Sequence, residues 1–183
     1  EKRLRAFFGG LQRDYPELPI QLISPLAEGG DQLAAEVALS MGIALVTVLP
    51  MVQSEYERDF SSEQSLAEFR DLLDKSHEVI VLPAVAGDLE TPYTEYERAL
   101  QYAQLGVFTS DHCHILLALW DGKLGESIGG TGHVVKYHLT GIMDGLDGDP
   151  TPAGLLADNE NDLVYQIVCS RDREDGAVEK DLE

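Results

Sequence analysis

The fold is decided by residues 20–41, IQLISPLAEGGDQLAAEVALSM. Residues 20–24 form a short apolar run, which is typical of a buried strand, and Gly29 and Gly30 mark a tight turn after it. From Asp31 to Met41 the apolar residues recur at helical spacing. The stretch therefore predicts a strand, a Gly-rich turn and a helix, which is the repeating unit of a parallel α/β sheet.

The same unit recurs along the chain, with further strands predicted over 43–49, 78–82, 113–120 and 163–168. Helices are predicted over 4–11, 62–74, 94–105 and 132–139. The run at 113–120 has no period of two, which is typical of a central strand buried on both faces. We therefore predict a Rossmann-like, doubly wound α/β fold, with helices on both faces of one mostly parallel sheet of five or more strands.

Length and composition fit one domain. The chain has 183 residues, of which 44% are hydrophobic, enough for a continuous core without disulfide or metal staples. We assign residues 1–171 to a single domain and 172–183 to a charged tail. Because the sequence begins inside a helical pattern, we expect it to be a piece of a longer protein.

The charge balance restricts the class of partner. A net charge of -20 disfavours binding to the phosphate backbone of nucleic acid. Backbone N–H groups lining a pocket can still hold an anion, because screening confines the effect of distant charges to about 8 Å. No apolar run reaches 18 residues and no secretory signal opens the chain. We expect a cytoplasmic protein without direct membrane contact, and Cys113 and Cys169 are expected to be buried thiols, not a disulfide.

The first candidate site is the turn after the first strand. Ligands of open α/β sheets bind at the carboxyl ends of strands, and glycines let backbone approach a ligand closely. The N–H groups at a helix start attract phosphate or carboxylate. We assign ligand binding here to Glu28, Gly29, Gly30, Asp31 and Glu36, with Glu36 on a ribose. The alternative is a purely structural turn with Asp31 as N-cap.

The second candidate site follows the strand at 113–120. Asp121 ends that strand, and the turn Gly129-Gly130-Thr131-Gly132 precedes the next helix. Two helix starts that face one crevice could orient a diphosphate, so we expect both turns to line one site. Neither turn matches a Walker motif or a full G-x-G-x-x-G motif, and structural turns remain the alternative.

Metal binding is the weaker interpretation of the remaining polar residues. The acidic loop with Asp144, Asp147, Asp149 and Asp158 does not match the ligand spacing of an EF-hand. His133 and His138 are five residues apart, off the register of a helical metal pair, and His112 and His114 flank a strand entrance. We predict neither a metal nor a cofactor.

The motifs together resemble the SLOG superfamily, which groups the DNA-processing protein A and "lonely guy" Rossmann-like domains. The resemblance rests on residues 24–34 (SPLAEGGDQLA), 49–50 (LP), Tyr56, 59–60 (DF), 117–122 (LALWDG) and 129–132 (GGTG), and covers about residues 4–171. It implies the branch found in bacterial conflict and signalling systems, and recognition of nucleotides or their derivatives. Members begin with a strand that ends in a Thr-Gly-His-Arg-like turn, which this chain lacks, so part of the ligand site is expected outside these residues.

The resemblance also bears on catalysis. Lonely guy enzymes carry a Glu in their Gly-rich motif that serves hydrolysis of an N-glycosidic bond, and at that place this chain has Lys136. We therefore predict a nucleotide-binding sensor or regulatory domain of a larger signalling or defence protein. The alternatives are a nucleotide N-glycosidase, in which Glu28, Asp31 or Glu36 would replace the missing Glu, and a scaffold with structural glycines. Related folds often pair through helices, so a homodimer also stays open.

Overall fold

A computed structural model describes residues 1–85, 93–124, 128–143, 145–146, 163–170 and 177. Asp144 and the other acidic residues of the loop considered for calcium lie outside these ranges, as does nearly all of the tail at 172–183. The chain divides into two compact units, Glu1–Pro83 and Ala84–Glu183. Each unit is an α/β structure with a parallel sheet. The assignment of 1–171 to a single domain stays a prediction.

The first unit contains a three-stranded parallel sheet in the order β1-β2-β3. Its elements are α1 (Lys2–Asp14), β1 (Gln21–Ser24), α2 (Gly30–Ser40), β2 (Ala44–Leu49), α3 (Gln53–Tyr56), α4 (Glu63–Asp74) and β3 (Glu78–Val81), with a 3-10 turn at Glu57–Asp59. Strand β2 is the most buried because β1 and β3 flank it on both sides. Helix α2 contacts β1, β2, α1 and α4. The helix and strand positions predicted for 4–82 are confirmed, whereas α3 was not predicted.

An aromatic cluster secures the connection from β2 to α4. The Tyr56 ring meets Phe60 and Phe69 edge-on at centroid distances of 5.4 and 5.5 Å, and Phe60 lies 4.7 Å from Phe69. Such pairs stabilise a fold by about 0.5–1.5 kcal/mol beyond the area they bury. Ser62 then begins α4 as its N-cap by accepting a hydrogen bond from the Ser65 N–H group at 3.1 Å. These contacts fix the chain between β2 and α4 to the rest of the first unit.

The second unit contains α5 (Glu95–Asp111), β4 (Leu116–Trp120), α6 (Thr131–Thr140) and β5 (Val164–Val168). A capping box starts α5, because Thr94 and Glu97 each accept a hydrogen bond from the other's backbone N–H group. Strands β4 and β5 pair in parallel as a two-stranded sheet. Leu116 and Ala118 of β4 form a buried cluster with Val135 of α6.

The prediction of one sheet with five or more strands was wrong for the described residues. The five strands have the predicted parallel direction, but they form one sheet of three strands and another of two. Leu116 and Leu117 were expected in a central strand, and a two-stranded sheet has no centre. The physical reason is that an apolar run indicates a buried strand but does not specify which strands pair with it. Contacts with α6 and β5 account for much of the apolar surface of β4.

Candidate functional site

The turn between β1 and α2 is built on two residues with positive φ. Leu26 has a φ of 59° and is fully buried, and its N–H group donates to Ser24 Oγ at 3.1 Å. Gly29 follows with a φ of 93° and a ψ of -104°. A non-glycine residue in the left-handed region stores strain, and such residues cluster at functional sites. The turn is therefore held in its shape by burial of Leu26 and by a conformation at Gly29 that favours glycine.

Open space lies beside the start of α2. A Cβ atom built on Gly29 would meet no other atom within 4 Å. Because the N-cap of α2 is this glycine, no side chain caps the helix from that position. The first N–H groups of α2, beginning at Gly30, are thus suited to an anion.

Glu28 is engaged with the segment that leads into α4. Its Oε1 accepts a hydrogen bond from Ser61 Oγ at 2.7 Å, and its Oε2 accepts one from the Ser61 backbone N–H group at 3.1 Å. These hydrogen bonds from Ser61 lower the pKa of the Glu28 carboxyl below its usual value. Both carboxylate oxygens therefore bind the protein itself.

Asp31 lies in the first turn of α2, where the sequence predicted an N-cap or a ligand contact. The N-cap is Gly29, so the capping interpretation of Asp31 was wrong. Asp31 is half-buried, and its carboxylate accepts a hydrogen bond from the Ala27 N–H group, which closes the turn. Desolvation by the surrounding protein raises the pKa of Asp31 to about 6. Asp31 is thus a carboxyl group that titrates close to neutral pH.

A groove of about 380 Å³ opens between α2 and α4. Its walls are joined by Gln32 and Ser65, because Gln32 Nε2 donates to Ser65 O at 3.0 Å and Ser65 Oγ donates to Gln32 Oε1 at 3.1 Å. The carboxyl groups of Glu28, Glu36 and Glu68 line it, and among the described residues no Lys or Arg does. The structure therefore brings Glu28, Gly29 and Glu36 to one groove beside a helix start.

The second predicted site begins at Asp121, directly after β4. Asp121 is fully buried, and its Oδ1 accepts a hydrogen bond from the Lys123 N–H group at 3.1 Å. Trp120 Nε1 donates to Lys123 O at 2.9 Å, and Gly122 has a φ of 90°. These contacts fold the chain sharply after the strand, so Asp121 has a clear structural role in this turn.

Packing explains two glycines of the turn before α6. A Cβ atom on Gly129, whose φ is 77°, would lie 2.5 Å from Tyr102 Cβ and 2.8 Å from Ala103 N in α5. A Cβ atom on Gly132 would lie 3.1 Å from Lys123 O. Gly130 has an ordinary φ of -71°, and Thr131 is the first residue of α6. Close approach of α5 to this turn thus requires Gly129 whether or not a ligand binds.

The two turns belong to different compact units. Their sharing of one ligand stays a prediction from the sequence.

Lys136 lies within α6, one turn after Gly132. A lysine there supplies no carboxylate for hydrolysis, whereas the pKa of Asp31, raised to about 6, suits proton transfer.

His112 and His138 have protein partners. Over the ranges that the structure describes, no three His, Cys, Asp or Glu side chains come together as ligands. His138 Nδ1 shares a buried hydrogen bond with Ser110 Oγ at 2.7 Å, and His112 stacks on Phe108 at 4.0 Å. Cys113 and Cys169 form no disulfide, and burial raises the pKa of the Cys113 thiol to about 11. None of the described helices has the length and apolarity that a membrane span requires.

The sequence did not reveal the partners of the first turn. Ser61 binds Glu28, Ser65 binds Gln32, and Tyr56 Oη donates to Pro25 O at 3.1 Å. All three contacts join positions more than 30 residues apart. The Ser-Ser pair before α4 is a local N-cap signal, but a long-range partner cannot be inferred from such a signal.

Comparisons with known proteins add no family. No family model matches the sequence, and no curated protein matches it either. The resemblance to the SLOG superfamily therefore stays a prediction that rests on the motifs quoted above.

Proposed function

We propose that this chain binds a nucleotide or a nucleotide-derived ligand at the start of α2, as a sensor or regulatory part of a larger cytoplasmic signalling or defence protein. The observation that carries the proposal is the open space beside Gly29, at a helix start whose N-cap has no side chain. Helix starts of this kind bind phosphate through N–H groups and the helix dipole.

The groove beside this helix start suits the other half of a nucleotide. Carboxylate oxygens accept hydrogen bonds from ribose hydroxyls, and Glu36 lines the groove on the α2 wall. Gln64 lines it on the α4 wall and can donate to or accept from a base edge. A ligand with one phosphate group at the helix start and hydroxyl groups along the groove would satisfy both regions.

A matched pair of variants tests the proposal. In Gly30→Asp a carboxylate stands where the phosphate would meet the N–H groups, whereas Gly30→Ala adds a methyl group without charge. With AMP, NAD or ADP-ribose at about 100 times its dissociation constant, binding stabilises a fold by about 2.7 kcal/mol, or about 5–11 °C for a chain of this size.

We expect that melting shift in the wild type and in Gly30→Ala, and its loss in Gly30→Asp, because two negative charges repel at short range. Differential scanning fluorimetry with each of the three compounds measures it. If none of them shifts the wild type, or if Gly30→Asp keeps the full shift, the phosphate does not bind at this turn.

A second candidate function, N-glycosidic hydrolysis, is favoured by the raised pKa of Asp31. A carboxyl group that titrates near pH 6 can give or take a proton at neutral pH. Release of free base from AMP or NAD, followed by chromatography, distinguishes the enzyme from the sensor. We expect no release above background for the wild type; release that disappears in Asp31→Asn would make this chain a hydrolase.

A further inference from the structure

The loop that precedes α4 is tied to the turn that precedes α2. This loop, residues 57–62, is called the strap below. Its Ser61 donates to both carboxylate oxygens of Glu28, from its side chain and from its backbone. The sequence predicted that Glu28 contacts a ligand. In the structure, both of its carboxylate oxygens accept hydrogen bonds from Ser61.

The strap connects to one wall of the groove. Ser62, at its end, is the N-cap of α4 and lines the groove together with Glu68 farther along the helix. The opposite wall is α2, which begins directly after Glu28 and Gly29. The Glu28–Ser61 contact therefore joins the two walls at an exposed position, and the Gln32–Ser65 contact joins them at a buried one.

The two ties differ in strength. Gln32 and Ser65 are buried, so their hydrogen bonds do not compete with water. Glu28 and Ser61 are exposed, and solvent can replace either partner. The outer tie is thus the one that can open while α2 and α4 stay packed.

We infer that Glu28 is a positioning residue, which sets the opening of the α2–α4 groove through Ser61 and does not itself contact the ligand. This inference deepens the proposed function, on which it rests. The hydrogen bonds to Glu28 need its ionised carboxylate, and they are the cause of its lowered pKa.

A double-mutant cycle tests the inference, with Glu28→Ala, Ser61→Ala and the double variant in the full chain. Glu17→Gln, which removes a charge from an exposed carboxylate in the connection between α1 and β1, controls for net charge. Calorimetric titration with AMP gives the dissociation constant of each protein. We expect both single variants to bind AMP more weakly by the same factor, the double variant to bind no more weakly than either, and Glu17→Gln to bind as the wild type.

A direct ligand contact gives a different pattern. Ser61→Ala would then bind AMP as tightly as the wild type while Glu28→Ala loses affinity, and the inference would be overturned. Unchanged affinity in both single variants would also overturn it, because the strap would then have no effect on the site.

The failure of the proposed function is visible separately. If the wild type does not bind AMP, the ligand assignment fails. Thermal unfolding of the wild type, the two single variants and the double variant then tests the tie alone. Losses of melting temperature that do not add in the double variant would support the tie between Glu28 and Ser61, whereas additive losses would overturn it.

Discussion

The two Gly-rich turns look alike in the sequence, yet their glycines meet opposite surroundings. Gly29 and Gly129 both have positive φ and both precede a helix. A Cβ atom on Gly29 would enter open space, whereas one on Gly129 would collide with the backbone of α5. A Gly-Gly pair before a helix can therefore mark room for a ligand or the close approach of another helix. The atoms that a Cβ on the glycine would meet distinguish the two cases.

The largest predicted effect separates these two cases. Gly129→Ala should destabilise the protein by about 3 kcal/mol or more, because the strain of a positive φ adds to a collision with backbone atoms that cannot move aside. Gly29→Ala should cost about 1–3 kcal/mol, since only strain applies there. Urea unfolding measures both variants.

Gly141→Ala is the matched control for the crowded position. Gly141 also has a positive φ, of 70°, lies in the same unit as Gly129 and has open space at its Cβ. We expect its cost to be about 1 kcal/mol, the strain of a left-handed residue alone. Equal losses for Gly129→Ala and Gly141→Ala would show that the contact with α5 is not what requires a glycine.

The next effect concerns the charge at the first turn. The Asp31 carboxyl keeps its proton up to a pH of about 6 in the folded chain but ionises near 3.8 when unfolded. Between these values the folded state binds more protons, so stability contributed by this group is present below pH 4 and is lost as the pH rises through 6. Relative to Asp31→Asn, the wild type should lose about 3 kcal/mol of unfolding free energy over this range.

Unfolding free energies at several pH values between 4 and 7, for the wild type and for Asp31→Asn, check this difference. Comparison of the two proteins removes the general effect of the net charge of -20, because that effect is nearly the same in both. Parallel stability curves would mean that Asp31 is as well solvated in the folded chain as in the unfolded one.

Local features of the fold could be predicted from the sequence. The strand at 20–24, the turn at Gly29 and the helix after it follow from apolar periodicity and from glycine placement, and the structure has all three. The division of the strands into two sheets could not be predicted, because periodicity does not specify which strands pair. Long-range neighbours decide that pairing.

The roles of the site residues were harder to predict than their positions. Glu28 binds Ser61, which lies 33 positions away, and the ligand contact expected of Glu28 stays a prediction. Gly129 makes room for Tyr102, and its expected approach to a phosphate stays a prediction. In both cases the residue type was informative, and the partner came from a distant segment that no local pattern identifies.

The central claim is that a phosphate group binds at the start of α2. Titration of AMP into the ¹⁵N-labelled chain, followed by amide proton–nitrogen correlation spectra, tests it most directly, because each N–H group reports on its own surroundings. We predict that the largest shifts belong to the amides of Gly30, Asp31 and Gln32. Shifts confined to Thr131 and Gly132, or spectra that do not change at any AMP concentration, would contradict the claim.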